Sequence, residues 1–199
     1  MTQWIEDPHG GRERGPRGLA RAWVEVLVRP RNFFRVGVAP GDQAPGLLFG
    51  MTMVLIAATS HYLLVPDNFP SIPVSPILEG VFWISLLVLF VAPFGLHMIS
   101  AVQTLLLLVV VDDRAGISQT VQVIAYATAP CLVAGVPAPA IRLAACLYGA
   151  VLLWIGLQVV HRTSFVRAGV AGVIPAALVF GYGFGGFGAL EALGIATPF

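Results

Sequence analysis

The feature that most constrains this chain is "ILEGVFWISLLVLFVAPFGLHMISAVQTLLLLVVV", residues 77–111, where Glu79 and His97 are the only ionisable side chains. A helix through all of it would run roughly 50 Å at ~1.5 Å per residue, against ~30 Å of bilayer hydrocarbon. One straight, upright crossing is excluded. Pro93, with Gly95 two residues on, marks the expected kink, and tilt and protrusion take up the remaining length.

The rest of the chain has the same character. It is 57% hydrophobic and 11% charged, with a mean hydropathy of +0.86, too little charge to cover a soluble domain of 199 residues. The expected fold class is an all-α integral membrane protein, a five-span transmembrane helical bundle with a short N-terminal interfacial amphipathic helix. Residues 1–45 form the N-terminal segment and 46–199 the membrane domain. The spans fall at about 46–66, 77–111, 118–136, 140–160 and 168–190. "VPAPA" leaves only a tight connection between the third and fourth, which makes them a helical hairpin.

Arginine sets the expected orientation. Seven arginines lie in residues 1–45, Arg114 follows the second span, Arg162 and Arg167 follow the fourth, and Arg142 alone lies on the other side. By the positive-inside rule the N-terminus is cytoplasmic, the C-terminus outside, and the location the plasma membrane. The first 45 or so residues lack the 7–15-residue apolar core and small-residue cleavage site of a secretory signal, so no cleavage is expected.

In "GLARAWVEVLVRP", Leu19, Trp23, Val26 and Leu27 share one helical face. That pattern suits an amphipathic helix at about 18–29 lying on the inner leaflet, with Trp23 at headgroup depth. Pro30 should end it, and Phe33 and Phe34 then serve as a second interfacial anchor.

His97, Ser100 and Thr104 lie on one face of the second span, and Ser118, Gln122 and Tyr126 repeat every four residues on the third. Such stripes either line a polar path or form the hydrogen-bond network that fixes helix packing, at ~1 kcal/mol per contact. Packing is the preferred reading. Pro130 removes a backbone hydrogen bond from the third helix, and its polar neighbours can serve the freed carbonyls, which places this helix in the bundle interior.

"GYGFGG" at 181–186 has dinucleotide-fingerprint spacing but neither the strand nor the βαβ unit the fingerprint needs. Gly181 and Gly185 read instead as a close-packing helix face, open to a second copy of the chain. Asp112 and Asp113 with Arg114 read as a solvated turn. His61 with Tyr62 reads as an interfacial anchor, and neither group has ligand spacing for zinc. Cys131 and Cys146 fall on adjacent helices, as two buried thiols or, less readily, a disulfide. No catalytic constellation, cofactor or metal site is apparent, and a net charge of +1 argues against a nucleic-acid partner.

"AYATAP" at 125–130, the turn "GVPAPA", a span ending "IGLQVVHRTS" and a small-residue span beginning "AGVAGVIPAAL" resemble, in that order, the YIP family, the Ypt/Rab-interacting membrane domain. Tyr126 and Pro130 match its Tyr-Ala-x-x-Pro core, and Gly156 with His161 its Gly-Leu-x-x-x-His ending. "RPRNFFRVGVAPGDQAPGLLFG" is similar to the segment before the first span in prokaryotic members. The acidic cytoplasmic region of eukaryotic members is missing. The resemblance implies a non-enzymatic multi-pass protein that organises membrane or recruits a protein partner at its cytoplasmic face. A small transporter or channel subunit built on the two polar stripes is the alternative.

Overall fold

The computed structural model describes residues 15–195, and every regular element among them is helical. Helix α1 spans Gly15–Val28 and α2 spans Pro30–Val36. The break between them falls where Pro30 offers no N–H to continue the first helix but suits the first turn of the next. Helix α3 is Ala44–Leu64.

The long apolar block is continuous but not uniform. It comprises α4 (Pro76–Leu86), a π-helical segment (Leu87–Val91) and α5 (Ala92–Val110). The ring of Pro93 would collide with the carbonyl four residues back in a regular helix. The widened turn just before it, closed by a bond from the Ala92 N–H to the Leu87 carbonyl, absorbs that conflict.

Among the described residues, four helices are long and apolar enough to cross a bilayer: Ala44–Leu64, Pro76–Val110, Pro139–Val160 and Phe165–Gly183. The third expected span differs. Helix α6 (Ile117–Ala127) gives way to a 3₁₀ segment (Ala129–Val133), and the combined Ile117–Val133 is shorter than the other four. Pro130 is the cause, because the ladder tightens around it to three-residue bonds such as Cys131 N–H to the Thr128 carbonyl, 2.8 Å.

Helix α7 is Pro139–Val160 and α8 is Phe165–Ala176, the latter running into a second π-helical segment at Ala177–Gly183. The expected span to residue 190 therefore stops early. Gly185, at φ +74°, turns the chain so that α9 (Gly186–Ala192) folds back with Gly186 against Cys146 of α7.

Helix α6 is the axis of the bundle, with every residue from Thr120 to Ala129 buried. Helix α3 lies close along it because glycine removes the side chain at two crossings. A Cβ at Gly46 would sit 2.8 Å from Gln122 Cα, and one at Gly135 2.1 Å from the Ala57 carbonyl oxygen.

Candidate functional site

Gln122 of α6 and Thr128 just beyond it are committed to backbone. Gln122 Nε2 donates to the Ala39 carbonyl at 2.7 Å and Oε1 accepts the Ala39 N–H at 3.0 Å, a two-way clasp on the segment that leads into α3. The Tyr126 ring meets Phe33 and Phe49 edge-on at centroid distances of 4.8 and 5.1 Å. Thr128 Oγ1 donates to the Ala125 carbonyl at 2.7 Å, supplying a carbonyl near the Pro130 break.

The N-terminal aromatics differ from expectation. Phe33 and Phe34 are each 1% exposed, in the core rather than on a leaflet surface, because α2 lies against α6 and α7, where Gly156 leaves room for the Phe34 ring. Trp23 is half-buried, and its indole N–H donates to the Ala129 carbonyl at 2.9 Å. The Tyr148 hydroxyl donates to the Leu27 carbonyl. Both helices are thus fastened to the flank of the bundle, and the side they turn outward carries Arg17, Arg29, Arg31 and Arg35.

The stripe on α5 is split. His97 is exposed, with Nδ1 2.7 Å from the Pro93 carbonyl and Nε2 3.3 Å from Gln43 Nε2. Ser100 is buried, and Thr104 Oγ1 donates to the Ser100 carbonyl at 2.7 Å. The hydrogen bonds among the described residues include none between His97, Ser100 or Thr104 and the α6 stripe.

Two buried polar residues stand where sequence reasoning missed them or gave them no role. Gln103 Nε2 donates to the Ala171 carbonyl at 2.9 Å. That carbonyl lies four residues before Pro175, which has no N–H to give it, so the glutamine substitutes for the missing helix bond. A proline and a lone amide on neighbouring spans were the available signal. His161, just beyond α7 and 1% exposed, has Nε2 3.5 Å from Thr120 Oγ1. Burial, assisted by the Arg114 charge, lowers its pKa to about 4, so the ring is neutral at pH 7.

Gly181 and Gly185 do not form one helix face. A Cβ at Gly181 would collide with Phe187 of the same chain, and Gly185 is the left-handed residue of the turn. Cys131 and Cys146 are buried free thiols. Asp112 and Asp113 are exposed, and no cluster of three metal-ligating side chains occurs among the described residues.

A cleft of about 430 Å³ lies between α3, the two π-helical segments and the α6 axis. Its walls are apolar over most of their length, with Met51, Val54, Leu87 and Leu178 among them. His61 and Arg142 stand at one end, with Val91 and Tyr182 as its most exposed walls.

A chain whose described residues are helical throughout their regular structure and include four apolar helices of crossing length is a multi-pass membrane protein. Its sequence matches the family described as the Yip1 domain over residues 24–187, and the chain belongs to that family. The match runs from the middle of α1 to the start of α9 and takes in Gln122, Tyr126, Gln103 and His161. No curated protein and no solved structure matches the chain.

Proposed function

We propose that this protein is a non-enzymatic membrane organiser of the Yip1 type that recruits a protein partner or the inner leaflet through its N-terminal helices. The observation that carries this reading is the clamped α1–α2 pair. Trp23, Phe33 and Phe34 are spent on holding it to the bundle, so the surface left for a partner is rich in arginine, with Val24 and Val28 of α1 exposed beside it. Arg29, Arg31 and Arg35 are exposed on it, and none forms a salt bridge among the described residues. Such a surface suits acidic protein segments or anionic headgroups at the plasma membrane's cytoplasmic face.

The topology belongs to the same proposal. The α6 axis with its 3₁₀ extension counts as a fifth crossing, because it keeps step with α3 from Gly46 beside Gln122 to Ala57 and His61 beside Gly135. The N-terminus is then inside and the C-terminus outside.

The test is recovery of the tagged protein in native membrane patches. Neutralising Arg29, Arg31 and Arg35 together to glutamine should reduce what accompanies it several-fold while leaving thermal stability unchanged. Unchanged recovery would count against the reading. Reconstituted vesicles test the transporter alternative, since a solute or ion flux abolished by His97→Ala in a folded bundle would replace this proposal.

A further inference from the structure

We propose that the cleft between the two π-helical segments holds one acyl chain of an anionic phospholipid, with the lipid phosphate on Arg142. The inference stands whichever way the protein faces in the bilayer.

The shape argues for a chain. Along α3 the lining runs from Leu47 to His61, roughly 21 Å at ~1.5 Å per residue and so deeper than the ~15 Å of one leaflet's hydrocarbon. A volume of about 430 Å³ spread over that length makes a long, narrow slot, suited to a hydrocarbon chain rather than to an α-helix ~10–12 Å across. The π-helical segments help make the space. Each widens its helix beside the cleft, and such turns often mark functional sites.

Polarity is confined to one end. Within the apolar stretch, the Thr128 hydroxyl is already spent on the Ala125 carbonyl. At the end, His61 Nδ1 lies 3.3 Å from the Gly135 carbonyl and Nε2 3.4 Å from Asn68, which fixes the ring at the rim. Arg142 Nε donates to the Ala134 carbonyl at 2.8 Å. That bond holds the guanidinium in place and leaves its terminal nitrogens to donate elsewhere. No carboxylate forms a salt bridge with Arg142 among the described residues. An aimed and uncompensated guanidinium at the mouth of an apolar slot complements a phosphate attached to a hydrocarbon chain, which it can grip with two parallel bonds.

The position agrees. Arg142 sits one turn into α7, at the end of the bundle opposite Arg114 and Arg162. It is the one arginine that departs from the charge asymmetry of the chain, and lipid binding gives that departure a use.

The test incubates delipidated protein in detergent with phosphatidylglycerol or phosphatidylcholine and reads bound lipid by native mass spectrometry. The wild type should retain one phosphatidylglycerol in preference to phosphatidylcholine. Arg142→Gln should lose that preference, with retention down at least tenfold. Gly95→Leu should lose retention of both lipids, because a Cβ there meets nothing within 4 Å and the leucine can enter the slot without moving backbone. Equal retention by all three proteins, or a second copy of the chain bound in place of lipid, would overturn the proposal. Should Gly95→Leu fail to fold, spin-labelled phosphatidylglycerol in phosphatidylcholine vesicles decides the matter. A motionally restricted fraction that Arg142→Gln releases supports it, and no such fraction refutes it.

Discussion

Gln103 and Gln122 each serve backbone groups that have lost a regular partner, the first beside Pro175 and the second in the segment before α3. Leucine at either position would leave amide or carbonyl groups unpaired, which costs ~1–3 kcal/mol for each that is cut off from water. Gln122→Leu orphans two groups on Ala39, so its unfolding midpoint in detergent should fall further than that of Gln103→Leu. His161 behaves differently, since its contribution depends on pH. The folded ring has a pKa of about 4 where an ordinary histidine has 6.5, so between those values the unfolded chain binds a proton that the folded chain does not. The stability from the neutral ring is therefore complete above about pH 6.5 and is lost as pH falls to about 4. The loss is on the order of 3 kcal/mol, at ~1.4 per pKa unit. Thermal midpoints taken across that range should flatten in His161→Gln; an unchanged slope would mean another group is responsible.

At the level of helices, close approach is the governing condition. Gly135→Ala would push a methyl into the Ala57 carbonyl and Ser60 Oγ and should cost ~1–3 kcal/mol or more as overpacking. Gly95→Ala meets open space and should be neutral or stabilising by up to ~1 kcal/mol, because alanine is the better helix former. Parallel thermal melts would separate the two. The same contrast explains what could be read in advance. Helix positions followed from uninterrupted apolar runs, and Pro93 and Pro130 announced where the ladder would change, because proline acts through its own ring and missing N–H. What proline changes into depends on neighbours. Nothing in "LVLFVAPF" distinguishes a kink from a π turn, and nothing in "GYGFGG" shows that Phe187 will occupy the face of Gly181. Phe33 and Phe34 misled for a related reason: an aromatic pair suits a leaflet or a core equally well, and only Gly156 and Tyr126, more than ninety residues away in the chain, decide for the core. Arg142 could be picked out as an exception to the charge rule, but the slot it faces is assembled from several separate stretches and leaves no local pattern.

For the whole molecule, the proposed topology gives a direct expectation. In sealed right-side-out vesicles, a cysteine probe at Ser71 or Val136 should react with a membrane-impermeant reagent, and one at Ala115 should not. The reverse pattern would invert the bundle, and labelling at Ser71 without Val136 would remove α6 from the crossing count. The N-terminal clamp also dictates an order of construction. Trp23 must wait for Ala129, 106 residues later, and Leu27 for Tyr148, 121 residues later. At ~5–20 residues per second, α1 and α2 spend roughly 5–25 s without the surface they finally cover. During that interval Phe33 and Phe34 need shelter, from lipid or from the insertion machinery, and their three neighbouring arginines keep the segment on the side where synthesis occurs. Ribosome-arrested chains ending shortly after Arg114 should therefore expose α1–α2 to protease, and chains extending past the α7 segment should protect it. The N-terminal helices are made first and seated late, so the bundle is closed by the part of the chain that has been waiting longest.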